Sequence, residues 1–173
     1  GAMTRQRAAE RAPLVAARLP LMREALRWVG HLPTRSRGTV GGSIAHADPS
    51  AELPAILLAL EGDVTAVGAQ GRRSIAADAF FESFFTTALR PAELLTEVRF
   101  RAMPAGAGHA IKEFARRKGD FAIVGIAAVV AQAQGRAANV RLVAFGAGAT
   151  PLRLRAAEHA LEGQALDADS LAR

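Results

Sequence analysis

Arg37-Gly38-Thr39-Val40-Gly41-Gly42-Ser43-Ile44-Ala45-His46-Ala47-Asp48-Pro49-Ser50-Ala51-Glu52-Leu53-Pro54 is the most informative stretch of this 173-residue chain. Its first half is polar and glycine-bearing. With Pro33 to Ser36 before it, that half has no helical period and reads as a loop. Adjacent glycines let backbone amides approach a ligand closely, and a run of such amides forms an anion-binding nest. Thr39 and Ser43 place hydroxyls beside it, a chemistry suited to a phosphate or a polyhydroxyl chain. The pattern is neither G-x-G-x-x-G nor a Walker loop, and Gly-Gly in a loop is often only a turn. In the second half, Asp48-Pro49-Ser50 precedes an apolar block from Leu53 to Leu60. Ser50 is the expected N-cap of a helix there, Pro54 falls in its first turn, and Gly62 ends it.

Upstream, the first 30 residues read as helical, divided by Pro13 and Pro20, each tolerated in a first turn. The last of these helices runs over about 20–29, with Leu21, Met22, Ala25, Leu26 and Val29 on one face. Downstream, residues 63–68 and 72–76 flank Ala69-Gln70-Gly71 as a hairpin. Phe80, Phe81, Phe84 and Phe85 have the spacing to close a core over it, and Leu94 to Phe100 reads as a strand. Residues 101–108 are the best domain boundary. Beyond it come an extended segment over 109–117 and two β-rich runs, 121–133 and 138–145, joined by a turn at 134–136. A helix from Pro151 to Leu161 follows, with Thr150 as N-cap and Pro151 at its first position.

Composition narrows the function. Half the residues are apolar and 22% are charged, which excludes wholesale disorder. The longest apolar run, Phe121 to Ala131, is too short for a bilayer, which takes roughly 20 residues, so no membrane span is expected. The absence of cysteine excludes thiol catalysis and an iron–sulfur cluster held by this chain. No charged-then-apolar leader opens the sequence, which favours the cytoplasm. The net charge of +6 is dispersed, with +5 over residues 1–48, −3 over 49–100 and +4 over 101–173. Only nine Phe and Trp are present to stack on bases, so nucleic acid is not an expected partner. Ser43, His46 and Asp48 share one stretch, whereas a catalytic triad draws its members from separate elements. His31, His46, His109 and His159 lack metal-ligand spacing. No catalytic residue and no metal site is expected.

Residues 37–54 resemble the second FAD-binding motif of the flavoprotein (medium) subunit of molybdenum hydroxylases, the family of aerobic carbon monoxide dehydrogenases and xanthine dehydrogenases. The resemblance continues through Phe85-Thr86-Thr87-Ala88-Leu89-Arg90-Pro91 with Glu93 to Val98, and through Glu113 to Ala122. Three blocks in the right order and spacing make it specific, and it covers nearly the whole chain.

The resemblance implies an α+β fold. Residues 1–100 would form the second subdomain of a PCMH-type, vanillyl-alcohol-oxidase-like FAD-binding domain. Residues 101–108 would be a linker, and 109–173 a CO dehydrogenase flavoprotein C-terminal-like domain of sheet and helices. It further implies that Thr39, Val40, Gly41, Gly42 and Ser43 wrap the FAD. Glu52 stands where the family usually has an aspartate contacting the cofactor. Leu95 matches an apolar residue near the flavin ring. Lys112 matches a lysine near the isoalloxazine in some members; others place it one residue later, where this chain has Glu113. Asp120 matches a family aspartate. The same residues also have plain readings: Leu95 as core, Lys112 as a surface cation, Asp120 as a turn residue.

The family's N-terminal pyrophosphate loop precedes the residues seen here, and the helices that usually complete the C-terminal domain follow them, so the chain reads as an internal piece of a longer subunit. In the intact family enzyme a large subunit holding the molybdenum cofactor oxidises the substrate. A small subunit relays electrons through 2Fe–2S clusters, and FAD passes them to an external acceptor. Those two subunits are the implied partners. The alternatives are a stand-alone FAD-dependent oxidoreductase of the same fold, which should carry both cofactor motifs, and a non-catalytic basic interaction module.

Overall fold

A computed structural model describes residues 1–167. Helix α6 (Glu52–Ala59) decides how the rest is arranged. All eight of its residues are buried, and a helix apolar on every side has to be enclosed by other elements. The enclosure is built from both halves of the chain.

The first half contributes α1 (Gln6–Arg11), α2 (Pro13–Arg18) and α3 (Pro20–Leu26), with the two prolines opening α2 and α3 as the sequence predicts. It also contributes a three-stranded antiparallel sheet of β1 (Asp63–Gly68), β2 (Gly71–Ala76) and β5 (Leu94–Arg99), in the order β2-β1-β5. The guanidinium of Arg73 grips both carboxylate oxygens of Glu93 at 2.7 Å and tethers β2 to the start of β5. The hydrogen bonds from Arg73, joined by the Arg90 amide, hold the Glu93 carboxyl down to about 2.

The second half is a four-stranded antiparallel sheet in the order β6-β7-β8-β9: β6 (Gly108–Phe114), β7 (Val124–Ala133), β8 (Arg136–Phe145) and β9 (Leu152–Arg153), with α7 (Arg155–Leu161) behind β8. On its inner face Ile111, Ala127, Val129, Val143 and Phe145 are fully buried and belong to the same core as Leu21, Leu26, Leu53, Ile56 and Leu57. Gly125 is needed where Phe145 crosses β7, because a Cβ there would lie 2.1 Å from the ring. Glu61, just past α6 at φ 45°, faces Arg141 at 2.9 Å, Arg101 at 3.4 Å and Arg153 at 3.8 Å, an ionic tie between the halves.

Several expectations are corrected. Residues 33–43 are not a loop: α4 (Leu32–Arg37) and α5 (Val40–His46) occupy them, separated by Gly38 and Thr39. Helix α4 buries no residue, so it has no apolar stripe for a periodicity to reveal. The helix after Pro20 stops at Leu26 rather than at 29. The cap of α6 is Ala51, because Ser50 is engaged with its amide on Asp48 Oδ1 at 2.9 Å. The helix expected from Pro151 starts only at Arg155, because Leu152 and Arg153 pair with Ala144 and Val143 as a strand. Of the four phenylalanines, Phe80 alone is fully buried. Phe84 and Phe85 lie at the exposed tip of a small hairpin, β3 (Phe81–Ser83) with β4 (Thr86–Thr87).

Enclosure of α6 gives a direct stability test. Leu57 is fully buried and fills the space beside Gly62, where a Cβ would meet its Cδ1 at 2.4 Å. Leu57→Ala should lower the free energy of unfolding by about 2–5 kcal/mol, read as a lower urea midpoint at unchanged slope.

Candidate functional site

The first turn of α5 shows why its glycines are there. Thr39 caps the helix, its Oγ1 accepting from the Gly42 amide at 3.0 Å. The Val40 amide donates to Thr4 O at 2.9 Å, the Gly41 amide to Ala2 O at 2.8 Å, and the Ser43 amide to Thr39 O at 3.2 Å. The N-terminal segment lies so close that a Cβ on Gly41 would stand 2.4 Å from the Ala2 Cβ. Gly41 is therefore a packing glycine, buried against backbone. Gly42 is exposed, and a Cβ there would meet Thr39 Oγ1 at 2.6 Å. All four amides of the turn are engaged within the chain, so the open nest suggested by the sequence is absent. What the turn presents outward is the bare backbone of Gly42, flanked by the half-buried Thr39 and Ser43 with their hydroxyls.

Ala47, left-handed at φ 52°, ends α5, and Asp48 to Ser50 lead into α6. Pro49 O accepts from the Gly146 amide at 2.8 Å, docking this turn on the second half. Glu52 opens α6 and is 6% exposed. Burial pushes its carboxyl up to about 8; Glu113 and Asp48 reinforce the shift, while its own backbone amide and Arg35 oppose it. Arg35 is committed elsewhere, to Glu10 at 3.0 Å and to the carbonyls of Val29 and Gly30.

Strand alternation on β6 separates Lys112 from Glu113. Ile111 is fully buried on the inner face, so Glu113 points inward with it, and the exposed Lys112 lies on the outer face opposite Ile126. Both carboxylate oxygens of Glu113 are buried without a hydrogen-bond partner, and burial raises this carboxyl too. Glu113 also lines a cavity of about 500 Å³ shared with Glu24, Arg27, Trp28, Phe114 and the loop over 115–118. Leu95 is half-buried on β5, against the core and opposite Ala66. Asp120 is exposed in a turn closed by its amide on Arg117 O. The neighbouring Gly119, at φ 92°, packs on the His31 ring, which a Cβ would meet at 2.5 Å.

The fold packs the Thr39–Ser43 turn of α5 against β5, which carries Leu95, and sets Glu113 where its charge acts on Glu52. Lys112 stands on the sheet face turned away from Glu113. Glu113 and Trp28 were not singled out as site residues; for Glu113 the available signal was its place two residues after the apolar Ile111. His46 stacks on Phe85 with ring centroids 5.1 Å apart, and Asp48 accepts from Ser50, so neither is poised for a triad. Among the described residues no cluster of acidic side chains or histidines could hold a metal ion, and no helix is long and apolar enough to cross a membrane.

A cofactor with a polyhydroxyl chain fits this site on two observations: the exposed Gly42 backbone between two hydroxyl-bearing residues, and buried carboxyls left without a cation.

Comparison with known proteins bears on the same residues. Residues 1–102 match the family described as the FAD binding domain in molybdopterin dehydrogenase, and residues 109–173 match the CO dehydrogenase flavoprotein C-terminal domain. The chain is 40% identical over 173 residues to the 6-hydroxypseudooxynicotine dehydrogenase complex subunit alpha of Paenarthrobacter nicotinovorans, covering 99% of this chain and 58% of that protein. It is 34% identical over 171 residues to the carbon monoxide dehydrogenase medium chain of Hydrogenophaga pseudoflava, covering 99% and 60%. A solved structure of carbon monoxide dehydrogenase from Hydrogenophaga pseudoflava, lacking the Mo-pyranopterin moiety of its cofactor, superposes with a TM-score of 0.95 at 38% identity, over 98% of this chain and 59% of that one. The chain therefore spans about three fifths of the length of these relatives. Two matched domains in tandem, on a fold that superposes throughout, place the chain in the family of FAD binding domains in molybdopterin dehydrogenase, continued by a CO dehydrogenase flavoprotein C-terminal domain.

Proposed function

We propose that this chain is the FAD-carrying part of the medium subunit of a molybdenum-containing hydroxylase or dehydrogenase, and that it passes electrons from 2Fe–2S clusters through FAD to an external acceptor. The small iron–sulfur subunit and the large molybdenum-cofactor subunit are its proposed partners, and the cytoplasm its proposed location. The observation that carries this reading is the tandem of the two matched domains around one core, with the Thr39–Ser43 turn left open at Gly42.

When bound, FAD supplies reversible electron transfer, and the protein supplies orientation and electrostatics. Thr39 and Ser43 offer hydroxyls to the cofactor's polar chain, and Gly42 lets that chain approach the backbone. Val40 and Gly41 hold the turn in place through Thr4 and Ala2. Glu52 contributes a buried polar contact and Leu95 an apolar surface for the ring. Lys112 and Asp120 are the contacts proposed on the second half. Since Lys112 lies on the outer sheet face, its contact needs a cofactor edge that reaches around β6.

The two glycines separate cofactor approach from packing. Gly42→Ala in the complete subunit should strip most of the bound flavin while costing about 1 kcal/mol of stability, the scale of a disturbed N-cap. Gly41→Ala should cost about 1–3 kcal/mol through its clash with Ala2, as overpacking does. Flavin absorbance per protein and a urea titration read both; full flavin content in Gly42→Ala contradicts the assignment.

The natively expressed complete protein should co-purify with a cysteine-rich small subunit and a large subunit, with iron and molybdenum found by metal analysis. A flavin-bearing protein without companion chains or metals would favour a stand-alone flavoprotein.

A further inference from the structure

The end of α3 and the loop after β6 enclose the cavity of about 500 Å³, which contains no residue of the Thr39–Ser43 turn. That volume lies in the range of small-molecule sites, roughly 300–1,000 Å³. Its walls are held from several sides. Helix α3 packs on β6, Gly119 rests on the His31 ring, and the Asp120 amide closes the loop on Arg117 O. Three kinds of group converge here. Trp28, just past α3, and Phe114, at the end of β6, supply aromatic surface. Arg27, Arg116, Arg117 and Lys118 are exposed cations, and none of them takes part in an ion pair among the described residues. Glu113 brings two carboxylate oxygens, both buried and without a hydrogen-bond partner. Glu24, the other acid of the lining, lies 3.8 Å from the His109 ring nitrogen.

Each feature specifies part of an occupant. An ionised carboxylate only accepts, so an occupant that satisfies both oxygens of Glu113 has to present N–H groups side by side. Aromatic walls suit a planar ring, as bases stack on such side chains. Cations without counter-ions suit a phosphate, which arginine meets with paired N–H donors. A ring N–H beside an amino group, on a planar ring joined to a phosphate, is the 2-amino-4-oxo edge shared by guanine nucleotides and phosphorylated pterins. Adenine sets its amino group beside a ring acceptor and would leave one oxygen of Glu113 unpaired.

We propose that this cavity binds a phosphorylated ring with a 2-amino-4-oxo edge. Glu113 accepts from the ring N–H and the amino group, Trp28 and Phe114 give the ring its apolar surface, and the four cations meet the phosphate. The proposal goes beyond the FAD reading and does not rest on it.

Calorimetric titration of the complete subunit with GMP, IMP, AMP and 6-hydroxymethylpterin phosphate tests it. GMP should bind about tenfold or more tightly than AMP, which leaves a buried oxygen unpaired, and IMP, with the ring N–H but no amino group, should fall between them. This ranking needs no variant. Glu113→Gln keeps the side chain's size but replaces one acceptor with a donor, and it should erase the advantage of GMP over AMP. Arg117→Ala should weaken all four ligands by a similar factor and keep their order. A pterin phosphate that binds more tightly than GMP upholds the site and makes the pterin its source. Equal affinity for GMP and AMP, no binding of any of the four at millimolar concentration, or an intact preference for GMP in Glu113→Gln overturns the proposal. Flavin absorbance is read separately, so a failure here is distinguishable from a failure of the FAD reading.

Discussion

Burial of the Glu52–Ala59 helix is the constraint on which the rest depends. An eight-residue helix is marginal by itself in water, and its stability comes from what encloses it. Here α3 and α5 cover part of its surface, and the inner face of the β6–β9 sheet covers another. The two matched domains therefore share one core. Because the same helix carries Glu52 at its N-terminus, the element that fuses the halves also holds a buried acid. Packing and the proposed cofactor site are one arrangement at this point.

Much of this was legible in the chain itself. Pro13 and Pro20 mark helix starts because proline is harmless only there, and Ala69-Gln70-Gly71 marks the first hairpin because glycine supplies its positive φ, here 106°. The hidden elements are those that leave no local pattern. Helix α4 buries nothing, and β9 is two residues that exist only through pairing with β8. The glycine-rich turn was the hardest to read. Its sequence suggests free amides, yet those of Val40 and Gly41 are taken by Thr4 and Ala2, more than 35 residues earlier in the chain. Tertiary pairing of that kind has no sequence period.

Exposed or half-exposed carboxylates such as Glu93 and Glu61 gather arginines, and Glu158 holds Arg153 through both oxygens while accepting from the Leu142 amide. Glu10, Asp63 and Glu97 are likewise paired with arginines. Among the described residues Glu52, buried at the start of α6, and Glu113, whose carboxylate oxygens are buried, form no ion pair with an arginine. In a chain with cations to spare, leaving the buried oxygens of Glu113 without a partner suits a site whose occupant supplies the missing hydrogen bonds.

The central claim is that the subunit containing this chain carries FAD. Acid extraction of the purified complete subunit, with the released chromophore identified by chromatography and mass spectrometry, tests it most directly. The account predicts one non-covalently bound FAD per subunit. A protein that releases no flavin after purification in the presence of excess FAD would contradict it.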